Sequence, residues 1–380
     1  MFSVYFILFA IAVTSSMWFA YYGAWQGHKR HKFNERWFLL LSFAVLFTFI
    51  GFRYNVGRDF IGYWGDYKHI DSSDFGEVYS FYKYEYGYLS LLKTARFFDM
   101  GPQGTFILST LLVLILYFNL FRKRWDLLPV SIFIFMIGIS YGFAINGLRQ
   151  VIAILAFMNA INSLNEKNIL KRNLFFLLWM SLGTLFHNSV VFFLPIIVVQ
   201  FERVLKFLNS KVLIAIAITG LILNIYGVST ELVPNAEFLG TEGYSYGANL
   251  ERDNFETNES ALSIGNVFRL VLILIPLGLY DKIKVKYPEM RIFFVSLAIG
   301  SAIYFLFSNN MFTQRISYYF LFSELLVYPT IYKYYSKLNK GINWWQICAV
   351  MYLALFVVSF SFFFENQMWP GATVWGIKIN

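Results

Sequence analysis

Five arginines, a histidine and an aspartate occupy positions where an apolar chain has no structural use for charge. Arg53, Arg58 and Asp59 lie in Gly51-Phe52-Arg53-Tyr54-Asn55-Val56-Gly57-Arg58-Asp59-Phe60-Ile61-Gly62-Tyr63, where an apolar run gives way to charges, glycines and rings. Arg149 follows Asn146-Gly147-Leu148, Arg269 comes three residues after Asn266, and Arg315 follows Thr313-Gln314. His187 opens His187-Asn188-Ser189 between two apolar runs. A guanidinium is a planar fork that matches phosphate or carboxylate. Glycine lets backbone approach a ligand closely, and Tyr54 and Tyr63 offer flat faces to a sugar ring. Asp59 is either the ion-pair partner of Arg58 or a general base for a hydroxyl; His187 is either a satisfied structural imidazole or that base.

These residues must be positioned by a chain of 380 residues that is 58% hydrophobic, 21% aromatic and 14% charged. Soluble domains carry about 25% charged residues, so the composition is that of a polytopic membrane protein. In a soluble chain the net charge of +9 would point to nucleic acid. Here it follows the basic bias of cytoplasmic loops, and no nucleic-acid partner is expected. The single cysteine, Cys348, lies in an apolar run, which leaves no disulfide framework or thiolate metal site. No basic segment precedes the first apolar run, which reads as a retained span.

Apolar segments of about 17–25 residues mark spans. They predict an all-α polytopic fold, GT-C-like, with about twelve transmembrane helices: 2–22, 37–52, 103–121, 127–145, 149–164, 173–187, 189–201, 212–228, 263–280, 291–308, 316–332 and 342–364. The short pair 173–187 and 189–201 is two tilted helices or a re-entrant hairpin, so the count runs from ten to fourteen. Lys and Arg dominate 23–36, 122–126, 165–172, 202–211, 281–291 and 333–340, whereas acids dominate the alternate connections. The positive-inside rule then puts both termini outside. The long outer connections are 53–102 and 229–262. The first holds an interfacial helix over Glu85 to Met100, with Tyr88, Leu89, Leu92, Ala95 and Phe98 at helical spacing. The second is acidic and reads as a lid or a solvated loop. No internal repeat or second soluble domain is evident, so residues 1–380 form one membrane domain.

In this arrangement Arg53, Arg58, Arg149, His187, Arg269 and Arg315 all fall at outer ends of spans, where basic residues are disfavoured. Arg269 lies about 9 Å into its span, at 1.5 Å per residue. An intramembrane arginine costs at least ~2.5 kcal/mol on insertion scales, which makes each a functional candidate; Arg53 or Arg315 alone could be a snorkelling anchor. Asn146 opens a helix whose N-terminal N–H groups favour an anion. Asn266 shares a face with Arg269, and Arg315 with Tyr319, each one turn apart. Asn188, Gln314, Tyr318, Glu85 and the buried Glu324 complete the candidates. No H-E-x-x-H, Walker loop, C-x-x-C or D-x-D occurs. Phosphate handling would rest on arginine with neither metal nor cofactor, which favours a lipid-linked sugar donor over a nucleotide sugar.

Gly-Phe-Arg-Tyr-Asn-Val-Gly-Arg-Asp-Phe at 51–60, Glu85-Tyr86-Gly87-Tyr88, Gly147-Leu148-Arg149-Gln150, Phe186-His187-Asn188-Ser189 and Gln314-Arg315 with Tyr318-Tyr319 resemble, in order, the motifs of the EpsG family of bacterial polysaccharide polymerases. The resemblance covers about residues 35 to 335. It implies a Wzy-like glycosyltransferase at the outer face of the bacterial cytoplasmic membrane. Its donor and acceptor would be oligosaccharide units on undecaprenyl pyrophosphate, joined into O-antigen, capsule or exopolysaccharide. A chain-length regulator is a further candidate partner. The arginines would hold the pyrophosphate, and Asp59 or His187 would deprotonate the accepting hydroxyl. The alternatives are a flippase or transporter for lipid-linked oligosaccharide, and an O-antigen ligase-type transferase. The absence of internal repeats and the outer position of the polar groups favour the polymerase over a carrier.

Overall fold

The computed structural model describes residues 2–29, 31–57, 59–70, 84–200, 202–229, 263–308 and 311–336. Arg58, the acidic connection from 230 to 262, the span expected at 342–364 and Cys348 lie outside the described residues. Everything described is helical or irregular, with no β-strand among the described residues.

The chain begins with a hairpin of α1 (Phe2–His28) and α2 (Lys32–Gly51). Both helices are apolar, and the buried hydroxyls of Ser16 and Ser42 clamp them at 2.8 Å. Two short helices follow, α3 (Phe60–His69) and α4 (Tyr86–Phe97). Then α5 (Gln103–Leu120) leads to α6 (Leu128–Ile137) and α7 (Ile139–Asn146), which meet at a 64° bend. Gly138 forms the bend in extended backbone. Helix α8 (Leu148–Ser163) is the central rod: every residue from Gln150 to Ile161 is buried. A helix that is apolar all round belongs inside, and its one deep amide, Asn159, donates to the Leu116 and Leu155 carbonyls.

Helix α9 (Ile169–Phe186) packs along α8 and starts from a cap in which the Asn168 side chain accepts from the Lys171 N–H. The chain turns back at His187 as a 3-10 segment, Asn188–Gln200, containing Pro195. Helix α10 (Ser210–Ile225) is capped by Asn209 and packs on α12 (Arg291–Leu306), while α11 (Ile264–Gly278) is capped by Ser263. The last described portion is broken: Met311–Gln314, a 3-10 turn at Arg315–Ser317, a helical turn at Tyr318–Leu321, then α13 (Glu324–Ser336).

Against the twelve spans expected, of which 342–364 lies outside the described residues, the described residues hold five helices long and apolar enough to cross a membrane, or six if the bent α6–α7 pair is one span. Four more are apolar but shorter: Leu148–Ser163, Asn188–Val198, Ser210–Ile225 and Gly265–Gly278. A helix of the length of α8 rises only about 24 Å, against a hydrocarbon core near 30 Å. Where glycine, proline or a polar turn interrupts an apolar run, its helices are shorter than the run. The run expected at 316–332 shows this, being divided before Glu324.

The surface helix expected at 85–100 is α4. Tyr88, Leu89, Leu92 and Ala95 are buried as the spacing requires, but Phe98 lies past the helix end and is exposed. The helix packs on α5 and on the end of α9, where Gly87 passes so close that a Cβ would stand 2.6 Å from the Leu185 carbonyl oxygen. Gly87→Ala must push α4 off α9, with an expected cost of about 1–3 kcal/mol. A lowered Tm for the purified variant in detergent checks this; an unchanged Tm would show that the contact is not tight.

Candidate active site

At the end of the helices that carries Arg149, the polar residues form one connected group. Arg149 sits in the first turn of α8, immediately after the Gly147 break. Its Nη1 donates to Glu85 Oε2 at 2.6 Å, with the carboxylate side chain 8% exposed and the arginine 28%. The guanidinium lies 4.8 Å from the Tyr84 ring centroid and 5.6 Å from that of Tyr88. Both phenols donate to Asp66 of α3, Tyr84 to Oδ1 and Tyr88 to Oδ2, each at 2.8 Å. A charged group with an opposite charge on one edge and aromatic faces beneath it has little rotational freedom left.

Tyr63, one turn before Asp66 on α3, donates to the Asn146 carbonyl at 3.0 Å. Burial is the main reason its hydroxyl is pushed up to about 12, with the charges of Arg149, Asp59, Arg315 and Asp66 all reaching it. It remains a donor at neutral pH. His187 is likewise reached by Glu85, Arg149 and Arg315. Five residues expected from the sequence therefore share one neighbourhood: Tyr63, Glu85, Arg149, His187 and Arg315, with Asp59 at its edge in the turn before α3.

The others fall around it. Arg53 is 1% exposed; it donates to the Ile50 carbonyl at 2.8 Å and to the Ile145 carbonyl at 3.4 Å, and lies over Phe106. It ties the end of α2 to the end of α7 behind the site. Asn146 donates its amide to the Gly142 carbonyl, and Gly57, at φ +104°, passes so close that a Cβ would meet Asn146 Oδ1 at 2.9 Å. Tyr54 faces outward, edge-on to Phe60 and Trp64. Gln150 donates to the Arg315 carbonyl at 3.4 Å, and Gln314 ends the turn before it. Tyr318 packs edge-on against Phe143. Tyr319 is fully buried, its hydroxyl 2.9 Å from Ser189 Oγ, while Asn188 is exposed at the tip.

Arg269 has a separate partner. It donates to Glu324 Oε1 at 2.5 Å, with both side chains under a tenth exposed, and stacks over Tyr304. Asn266, one turn earlier, is buried in the cap made by Ser263. Tyr318 feels both Arg269 and Arg315, so this ion pair adjoins the Arg149 neighbourhood. Among the described residues no group of three His, Cys, Asp or Glu side chains could hold a metal ion.

Asp66 was not among the residues singled out from sequence, and Ser189 appeared there only within the His187-Asn188-Ser189 stretch, with no role of its own. Asp66 had one available signal, its spacing of one helical turn from Tyr63. Ser189 is apparent only from the fold, which brings Tyr319 to it across 130 positions.

Apolar helices of spanning length, an all-α architecture among the described residues and a paired-charge polar group at one helix end define the class: a helical membrane protein with a polar cluster. The EpsG family matches residues 36–371, and the chain belongs to it. This is a family of Wzy-like polysaccharide polymerases. No curated protein and no solved structure gives a significant match.

Removing one partner of a buried ion pair leaves an uncompensated charge, at a cost of about 3–5 kcal/mol. Glu324→Ala should therefore lower the Tm sharply, and the double replacement Arg269→Met with Glu324→Leu should restore most of it. A double variant as unstable as the single one would show that the pair is not the source of the loss.

Proposed function

We propose that the chain is a membrane glycosyltransferase with a GT-C-like fold formed by a single domain over residues 1–380. It would extend a polysaccharide by joining oligosaccharide units carried on undecaprenyl pyrophosphate, at the outer face of the bacterial cytoplasmic membrane. The observation that carries this reading is the neighbourhood of Arg149, Arg315, Glu85, His187 and Tyr63 at one end of a membrane-type helical chain. Two guanidiniums whose charges both reach Tyr63 and His187 suit a multiply charged anion, and a lipid-borne pyrophosphate presents one at the membrane surface. The basic bias of the opposite connections supports placing this end outside, with both termini there.

In the reaction the arginines hold the pyrophosphate of the growing chain and offset the charge that develops as it leaves. Arg53 braces the site from the end of α2, Arg269 supports it through Tyr318, and Arg58 is a further candidate for the anion on its sequence position alone. Tyr54, Asn146, Asn188, Gln314 and Tyr318 line the approach for sugar and lipid phosphate, and the buried Asn266 and Tyr319 brace it from behind. Asp59 or His187 takes the proton of the accepting hydroxyl. No metal or cofactor is required by this scheme, and a chain-length regulator would act from outside it.

Purified protein supplied with lipid-linked units extracted from cells lacking this chain tests the reading. A ladder of lengthening products supports polymerisation; a single adduct on another acceptor supports a ligase; movement across vesicles without new bonds supports a flippase. Arg149→Ala and Arg315→Ala, made singly, should each reduce product by about 10²–10³-fold, the usual loss on removing a group that stabilises developing charge. Arg149→Lys should not restore it, because an ammonium lacks the fork. Unchanged polymer yield and length in both alanine variants would sink the anion site.

A further inference from the structure

The hydrogen bonds around His187 determine which of its nitrogens carries a proton, and that decides what it can do. His187 is held in extended backbone at the end of α9, its N–H donating to the Gly183 carbonyl at 2.9 Å. Its Nδ1 lies 2.7 Å from Ser189 Oγ and receives the Ser189 backbone N–H at 3.4 Å. A backbone N–H can only donate, so Nδ1 must present a lone pair. The ring is then neutral with its proton on Nε2. Ser189 Oγ stands 2.9 Å from the Tyr319 hydroxyl, which completes a consistent relay: Tyr319 donates to Ser189, and Ser189 donates to Nδ1. Tyr319 is fully buried and wedged against Phe193, with ring centroids 4.5 Å apart. The relay is therefore anchored in the core and not in a mobile loop.

From this we infer that His187 is a hydrogen-bond donor to the departing phosphate and not the base that activates the acceptor. The inference rests on the polymerase reading above and deepens it. The charges of Arg149 and Arg315 both reach His187, so the anion those arginines attract lies within its surroundings. A ring whose Nδ1 is already bonded offers only Nε2–H, which cannot take a proton from a hydroxyl. It can donate to a phosphate oxygen as negative charge grows there. The proton must go elsewhere, and Asp59 is the remaining candidate. The acceptor oxygen bonds to the anomeric carbon, and the bond from that carbon to the pyrophosphate oxygen breaks. The bonding pair leaves with the polyprenyl pyrophosphate, and the hydroxyl proton passes to the Asp59 carboxylate. His187 gains and loses no proton. Ser189 and Tyr319 are positioning residues that hold the tautomer.

The full chain labelled with 15N-histidine reads the tautomer without reference to activity. His187 is assigned by its disappearance in His187→Gln. The expected spectrum has an unprotonated Nδ1 and a protonated Nε2, with the Nδ1 signal shifted in Ser189→Ala. A proton on Nδ1, or an imidazolium, overturns the inference. The same variants are then assayed for elongation of lipid-linked units extracted from cells lacking this chain. His187→Ala should lose about 10²-fold. His187→Gln, which keeps an N–H at the reach of Nε2, should retain at least a tenth of the native rate. Equal loss in both variants, with both still folded by Tm, overturns the donor role. Native elongation by His187→Ala likewise overturns the donor role, whereas native elongation by both Arg149→Ala and Arg315→Ala overturns the pyrophosphate-site reading itself.

Discussion

Arg149 is held by a carboxylate 64 positions earlier in the chain, and the arrangement of the site follows from that bond. A guanidinium at the end of a buried helix has to be satisfied where little water reaches it, and its partner has to be satisfied in turn. Glu85 answers the charge, Tyr84 and Tyr88 lie against the cation, and Asp66 fixes both phenols. Asp66 comes from α3, Tyr84, Glu85 and Tyr88 from the start of α4 and the residues just before it, and Arg149 from α8. The ion pair thereby locates α3 and α4, elements too short to be stable as isolated helices.

Two ion pairs at this end of the molecule differ in their surroundings. Arg149 keeps 28% of its side chain exposed, while Arg269 and Glu324 are both nearly closed off. A closed pair spends its charge on its partner, and it joins α11 to the broken helix that begins at Glu324. An open one can still meet an anion with the part of the fork that Glu85 does not occupy. That difference separates an arginine still accessible to an anion from one that braces two helices, although both were arginines at span ends in the sequence.

The apolar runs were legible because burial in lipid or in protein demands the same side chains, and α1, α2, α5, α9 and α12 follow them closely. By the same equivalence, the apolar run of α8 does not by itself distinguish lipid from the protein that its surface faces nearly throughout. Length is the distinguishing property, and it depends on where Gly138, Gly147 and the turn before Glu324 interrupt the helix. The helix at Tyr86–Phe97 was legible from period alone, whereas its close approach to α9 required knowing that Gly87 faces Leu185.

The sequence by itself determined the class of protein and the kinds of groups available. A chain with 14% charge cannot cover itself for water, and arginine in such a chain must have a use. What it left open was which charge meets which. Asp59 and His187 were equivalent candidates for one role because either residue type can accept a proton. Only the tertiary structure brings Tyr319 to the Ser189 hydroxyl that bonds the His187 ring, and Glu85 to Arg149. Partner choice depends on distance and direction between side chains far apart along the chain, and periodicity carries information only about near neighbours.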